Sequence, residues 1–381
     1  MTQYRAALVN IIRRYRLDFR SKEWKGHLIF AEHGLLPENT CKMLLPLARA
    51  MADQIEDEGD FSWRYPEEDE LYAEGKPDIE LGNLLEGDLL RFGIRFKDRP
   101  RNVLVLGGAG GGKSVLCRGI CLKVDQLNQR YPDKPTLLII IDPKPDYLDL
   151  KNRFKSKVKI YSPYDNLRLG LNGPADVPPA LWIGQITMSL AARLGLIISR
   201  TCLAAIITRL LVALNKGLND EDLKDASVAK DLIWPPLKMV LDVARKKDIL
   251  SIFSSKADYG KTLIQMLEGL LYDSGSLFDC CNGLDLNTVI QERCHCVFNV
   301  SNTPPYITHL ITDFAINQVM VRKLHLNYKC DHTDEIYLLE ESDLLIESDV
   351  ANFSVGLSPL DKLHRLGREL GLMSIVSISG I

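Results

Sequence analysis

Eight consecutive residues, Gly107 to Ser114 (GGAGGGKS), have the composition to hold a chain of phosphates. They fit the pattern G-x-x-x-x-G-K-[ST] through Gly107, Gly112, Lys113 and Ser114. Glycine lets the backbone bend tightly enough for successive N–H groups to point inward, so Gly107, Gly108, Ala109, Gly110, Gly111 and Gly112 are expected to cradle phosphate oxygens. The N–H groups of Lys113, Ser114 and Val115, at the positive end of the following helix, add to that field. Lys113 is expected to reach the β- and γ-phosphates, and Ser114 to give a hydroxyl to Mg²⁺. The expected ligands are therefore ATP and Mg²⁺.

Chemistry on such a phosphate chain also needs carboxylates: one for the metal's shell and one to polarise an attacking water. The run Ile336-Tyr337-Leu338-Leu339-Glu340-Glu341 ends in paired acids. Glu340 takes the metal position there and Glu341 the catalytic one, with Lys113 as the second catalytic group. Asp142 is the rival for the metal position, because it too ends a strong apolar run, Thr136 to Ile141.

These residues must be positioned by strands. Val103 to Leu106 reads as a strand before the glycine loop, and a helical pattern opens at Lys113. Further strands are expected at Thr136–Ile141, Val158–Ile160, His295–Val300, Glu335–Leu339 and Leu372–Ile378, with helices between them. That alternation predicts an α/β P-loop NTPase fold: a mostly parallel sheet with helices on both faces. From about Pro179 to Leu271 strand signals lapse and helical periodicity takes over, so an all-helical insertion is expected at about 179–271. Residues 1–78 form an N-terminal, mainly helical region, with periodicity at Ala6–Leu17 and Cys41–Ile55. It ends in an acidic linker: ten acids against one Arg between Asp53 and Glu74. Residues 79–381 then form the P-loop domain.

Composition limits the partners. The chain has 381 residues, 46% hydrophobic and 25% charged, with a net charge of −3. Contact with nucleic acid must therefore come from a local basic patch or be built by assembly. The alternation of cations from Lys151 to Lys159 places five on one face if the segment is extended, and scatters them if it is helical. Arg245-Lys246-Lys247 carries the same ambiguity. The first twenty residues lack the apolar core of a signal peptide, and the most apolar stretch, Leu181 to Leu214, is broken by Gln185, Arg193, Arg200 and Arg209. A cytoplasmic chain without direct membrane insertion is expected. Nine cysteines point to reduced thiols; neither Cys280-Cys281 nor Cys294-His295-Cys296 has the spacing of a zinc chelate, and buried structural thiols are expected.

The order of these motifs resembles the HerA/FtsK superfamily, which includes the conjugative coupling and TraD-like ATPases. The likeness runs over roughly 79–381: a phosphate loop, a strand ending in Asp142-Pro143-Lys144, a helical insertion, a strand ending in acids, then Gly367-Arg368 before an apolar strand. It implies an Mg²⁺-dependent ATPase working as a homo-oligomeric ring, a hexamer, that moves DNA without regard to sequence and works with proteins of a membrane machine. It also implies that Arg368 acts on a neighbouring subunit's nucleotide, since the last strand is taken to lie at an outlying position far from Lys113. Two departures stand out. Gly380 occupies the place of a γ-phosphate-sensing glutamine, and the sequence stops at Ile381 where family members continue with further strands. A nucleotide-gated assembly protein and a small-molecule kinase with the helical insertion as lid are the alternative functions.

Overall fold

The computed structural model describes residues 3–57, 77–83, 91–95, 102–195, 199–246, 257–341 and 358–378. The acidic linker falls almost wholly outside them, and Gly380 lies outside them too. The chain divides into two compact units, Met1–Arg95 and Phe96–Ile381.

In the first unit, helices α1 (Gln3–Arg14), α2 (Leu17–Arg20), α3 (Lys22–Glu32) and α4 (Glu38–Asp57) enclose their own core. Leu8, Val9 and Ile12 of α1 and Cys41, Leu45 and Ile55 of α4, apolar positions that repeat at helical spacing, fill it together with Trp24 of α3. The unit also includes an antiparallel ribbon of β1 (Ile79–Asn83) and β2 (Arg91–Ile94).

The second unit is built on β3 (Val103–Leu106), β4 (Leu137–Asp142), β5 (Val158–Tyr161), β6 (His295–Asn299), β7 (Glu335–Leu339) and β8 (Leu372–Ile378). All neighbouring pairs are parallel, in the order β3-β8-β7-β4-β6-β5. Every residue of β4 and β7 is buried, which is why Leu137–Ile141 and Ile336–Leu339 read as continuous apolar runs rather than alternating ones: a parallel strand covered on two faces has no wet side. Strand β8 is therefore not outlying, as the sequence suggested. It sits between the glycine-loop strand and the acid-bearing strand, with Leu106 opposite Ile378 and Leu339 opposite Val376.

Helix α5 (Lys113–Arg130) follows β3, and the single turn α6 (Leu150–Arg153) precedes β5. Between β5 and β6 the regular elements are all helical among the described residues: α7 (Pro179–Arg193), α8 (Arg200–Leu214), α9 (Leu237–Ala244), α10 (Ala257–Ser274), α11 (Leu286–Gln291) and two 3₁₀ segments. Helix α12 (Pro305–His325) leads to β7, and α13 (Pro359–Leu366) to β8. Trp182 of α7 stands edge-on to Phe314 of α12 at 5.6 Å and donates its indole N–H to the Leu171 carbonyl at 2.9 Å.

The same two helices are joined by a bidentate pair, Arg193 to Asp313, with both contacts at 2.9 Å and the side chains 3% and 1% exposed. Removing one partner strips the other buried charge of this bidentate pairing, which typically costs about 3–5 kcal/mol. Asp313→Ala is expected to lose about that much in urea unfolding, and a loss below about 1 kcal/mol would show that the pair is not what fixes α7 on α12.

The basic alternation at 151–159 is neither a continuous strand nor a continuous helix. One helical turn ends at Arg153, buried Phe154 closes it, and the strand starts only at Val158. Arg153 pairs with Asp149 and Lys159 with Glu292, while Lys151, Lys155 and Lys157 stay exposed. Arg245 pairs with Asp242 and Glu268. Cys294 and Cys296 are buried as expected, and His295 between them accepts the Leu138 N–H on Nδ1 at 3.0 Å. Burial pushes that imidazole down to about 4, so it stays neutral. Cys281, by contrast, is exposed.

Candidate nucleotide site

The loop between β3 and α5 takes left-handed backbone at Gly110 (φ 74) and Gly112 (φ 81), a region open to glycine at little cost. Gly111 donates its N–H to the Gly108 carbonyl at 3.1 Å and closes the turn. Helix α5 starts at Lys113 with no side-chain cap, so its first N–H groups, those of Lys113, Ser114 and Val115, are left for an anion. Lys113 Nζ donates to the Gly107 and Gly108 carbonyls at 2.8 and 3.0 Å.

Parallel register sets β7 level with this loop, one strand away across β8. Glu340 follows the last residue of β7 and is 4% exposed. Its Oε2 accepts the Ser114 hydroxyl at 3.1 Å, so the two residues assigned to the metal from opposite ends of the sequence do meet. Its Oε1 accepts the Tyr147 hydroxyl.

Glu341, the next residue, turns into left-handed backbone (φ 50). That conformation costs a β-carbon-bearing residue about 1–2 kcal/mol. It carries the side chain off the line of the strand to an ion pair with Lys144.

Residues 79–199 match the family described as helicase HerA, central domain. Within that span lie the glycine loop, α5 and the Asp142 loop, and the six-stranded sheet supplies the acid pair from outside it. That stretch is similar to the HerA central domain, and the sheet around it has the P-loop ATPase fold. Among solved structures, VirB4 of Thermoanaerobacter pseudethanolicus superposes on it with a TM-score of 0.50 and 15% identity, over 80% of this chain and 77% of that one. The bacterial conjugative coupling protein TrwBΔN70 gives 0.52 and 15%, over 81% and 68%. The plasmid coupling protein TrwB in complex with ADP and Mg²⁺ gives 0.52 and 14%, over 81% and 70%. No curated protein sequence matches. At such identities the structural likeness speaks for the fold, and the chemistry has to be argued from the residues.

Asp142, the rival of Glu340 for the metal position, is turned toward its own loop. It is fully buried, and its carboxylate accepts three backbone N–H groups: Lys144 at 3.3 Å, Asp146 at 3.1 Å and Tyr147 at 2.9 Å. Burial raises this carboxyl's pKa and the three donors oppose it. Asp142 thus shapes a loop that delivers two side chains to the site, Lys144 to Glu341 and Tyr147 to Glu340. Sequence reasoning missed both. The Asp-Pro-Lys string marked the loop, but nothing in it says which acid the lysine meets, and a tyrosine five residues past a strand carries no pattern.

The electrostatics keep the neighbours of Glu340 as neutral donors. Burial first, then the hydrogen bond to Glu340, pushes the Tyr147 phenol far above its ordinary value, so it remains protonated. Cys117, one turn into α5, is pushed up to about 12 by burial and by the Glu340 charge. The Lys144 ammonium is raised by its bond to Glu341.

Arg368 is exposed in the 3₁₀ turn Gly367–Leu370 that leads into β8. The glycine loop lies beyond the other end of that strand, because Leu106 pairs with Ile378. Seven strand residues span about 20 Å, which is out of an arginine's reach. The structure does not bring Arg368 to its own Lys113, although the cause is the length of β8 rather than an edge position in the sheet.

Proposed function

We propose that the HerA-type domain binds ATP with Mg²⁺ and hydrolyses it to move DNA through a homo-oligomeric ring. The observation that carries this reading is the contact between Ser114 and Glu340. A serine hydroxyl and a carboxylate from two strands converge where a phosphate-binding loop meets its helix, and hard oxygen donors in small number suit Mg²⁺, which keeps most of its waters. The metal, when bound, supplies positive charge against the β- and γ-phosphates. The chain's own groups do the rest. Backbone N–H groups of 107–115 hold the phosphates, Lys113 leaves the loop carbonyls to reach them, and Tyr147 holds Glu340 in place. Glu341, released from Lys144, takes a proton from the attacking water. TrwB, a structural neighbour, has been seen with ADP and Mg²⁺, which supports the choice of ligands.

DNA as the moved polymer, a ring with Arg368 serving a neighbour's nucleotide, a cytoplasmic location and partners in a membrane machine all rest on likeness to coupling proteins. Among the described residues no helix is long and apolar enough to cross a membrane. With a net charge of −3, DNA contact falls to local groups such as Lys151, Lys155 and Lys157 lined up around a ring.

The test is ATP turnover by the full chain with and without duplex DNA, with its mass in solution measured alongside. Stimulation by DNA in an oligomer supports the motor, whereas turnover indifferent to DNA points to a nucleotide-gated assembly protein. Lys113→Ala anchors the experiment. Losing a charge-assisted contact to phosphate costs about 2–4 kcal/mol, so calorimetry should show ATP affinity about thirtyfold to a thousandfold weaker. Equal affinities would remove the nucleotide site itself.

A further inference from the structure

The loop between α12 and β7 brings together a thiol, an imidazole and a carboxylate that the nucleotide site does not use. Cys330, His332 and Asp334 are each half-buried, and one ligand atom from each lies within 4.8 Å of the others. Cys330 Sγ is 3.6 Å from His332 Nε2 and 3.5 Å from Asp334 Oδ1, and Nε2 is 2.9 Å from Oδ1. A tetrahedral Zn²⁺ with bonds of about 2.3 Å to sulfur and about 2.0–2.1 Å to nitrogen and oxygen sets its ligand atoms about 3.3–3.6 Å apart. Two edges of the triangle already have that length, and the third needs to open by a few tenths of an ångström.

The surroundings orient the ligands as a metal site requires. His332 Nδ1 lies 3.1 Å from the Asp331 carboxylate and 3.0 Å from Cys330 Sγ, while Nε2 is the nitrogen turned to Asp334, so a metal taken by Nε2 needs a small rotation of the ring away from the thiol. Asp334 Oδ2 accepts the Tyr328 hydroxyl at 2.7 Å and the Lys323 ammonium at 2.8 Å, so the carboxylate is held by one oxygen and offers the other. Lys323 also pairs with Glu335, which balances its charge near the site. The loop is pinned at both ends: the Cys330 N–H donates to the Glu369 carbonyl at 3.1 Å and the Asp334 N–H to the Gly371 carbonyl at 2.8 Å. Gly371, in left-handed backbone (φ 73), lets it close in, since a β-carbon there would meet Asp334 Oδ2 at 2.8 Å and the Cys330 β-carbon at 3.0 Å.

We propose that Cys330, His332 and Asp334 form a three-ligand Zn²⁺ site whose fourth position is left to solvent. It lies at the entrance of β7 and β8, the edge of the sheet opposite the glycine loop, and it braces the turn that carries Arg368. Binding deprotonates the thiol, so affinity rises with pH. The Cys-x-His-x-Asp string has the ligand types but not the C-x₂-C spacing by which zinc sites are read from sequence.

The experiment uses the full chain, stripped with chelator, dialysed against Zn²⁺ and assayed for bound metal, with Co²⁺ as a spectroscopic stand-in. One equivalent of Zn²⁺ per chain is expected, together with a thiolate-to-cobalt charge-transfer band. Cys330→Ser and His332→Ala should each weaken Zn²⁺ binding at least about a hundredfold and lose the band, while Cys281→Ser keeps both. ATP binding, measured on the same samples, checks that the variants fold. Zinc content equal in the parent and both loop variants, or a parent that holds no zinc, overturns the site. If both variants fail to bind ATP, the cobalt band of the parent and of Cys281→Ser decides: its absence sinks the proposal and its presence in both supports it.

Discussion

Glu341→Gln protein is expected to bind ATP as tightly as the parent and to hydrolyse it about a hundredfold to ten-thousandfold more slowly, the usual loss when a general base is removed. The two acids at the end of β7 are neighbours in sequence but differ in their surroundings. Glu340 is buried and held by two hydroxyls, Ser114 and Tyr147, an arrangement that fixes a carboxylate without giving it room to take a proton. Glu341 is partly exposed, sits in a backbone conformation that costs free energy, and is held by one exposed lysine that can swing away. Conformational cost kept at one residue beside a phosphate loop is consistent with a placement selected for chemistry. The amide of glutamine preserves shape and removes basicity, so binding should survive. Glu340→Gln should act differently and raise the Mg²⁺ concentration needed for turnover. Single-turnover hydrolysis with calorimetry on the same samples separates the two. Full activity in Glu341→Gln would leave the water without its base and dismiss this assignment.

Much of this site could be read from residue order because each signal was local. The glycine loop is contiguous, and β7 and β8 run over the same residues expected from their apolar runs, Glu335–Leu339 and Leu372–Ile378. The errors came where long-range pairing decides. Nothing in Leu372–Ile378 says that it lies between β3 and β7, since sheet order depends on how crossovers pack and not on the strand's own residues. Asp142 ends a strand of six buried residues and so looks like a metal acid; only the three N–H groups that turn back on it reveal a loop-former. The cations of 151–159 form a stripe only on a continuous strand, and buried Phe154 breaks it. Lys144 and Tyr147 reach the acids because Asp142 bends the chain, so their contribution was hidden by the same loop.

Arg368→Ala is expected to lower ATP turnover by about 10³- to 10⁵-fold while leaving ATP binding intact, the loss seen when an arginine that stabilises transition-state charge is removed from a phosphoryl-transfer site. The expectation rests on the proposed ring together with the position of the turn that carries it. The arginine stands exposed at the entrance of β8, about 20 Å from the glycine loop at the strand's far end, so any γ-phosphate it touches belongs to another copy. A surface role would look different, since exposed ion pairs contribute about 0–1 kcal/mol. Subunit mixing decides between them. Arg368→Ala protein keeps its own glutamate, and Glu341→Gln protein keeps its own arginine. Each is expected to be nearly inactive alone, yet a co-assembled mixture should recover part of the parent's turnover, because some interfaces then join a working glutamate to a working arginine. A mixture that co-assembles without recovery, or Arg368→Ala protein as active as the parent, would rule out a shared site and with it the strongest physical reason for expecting a ring.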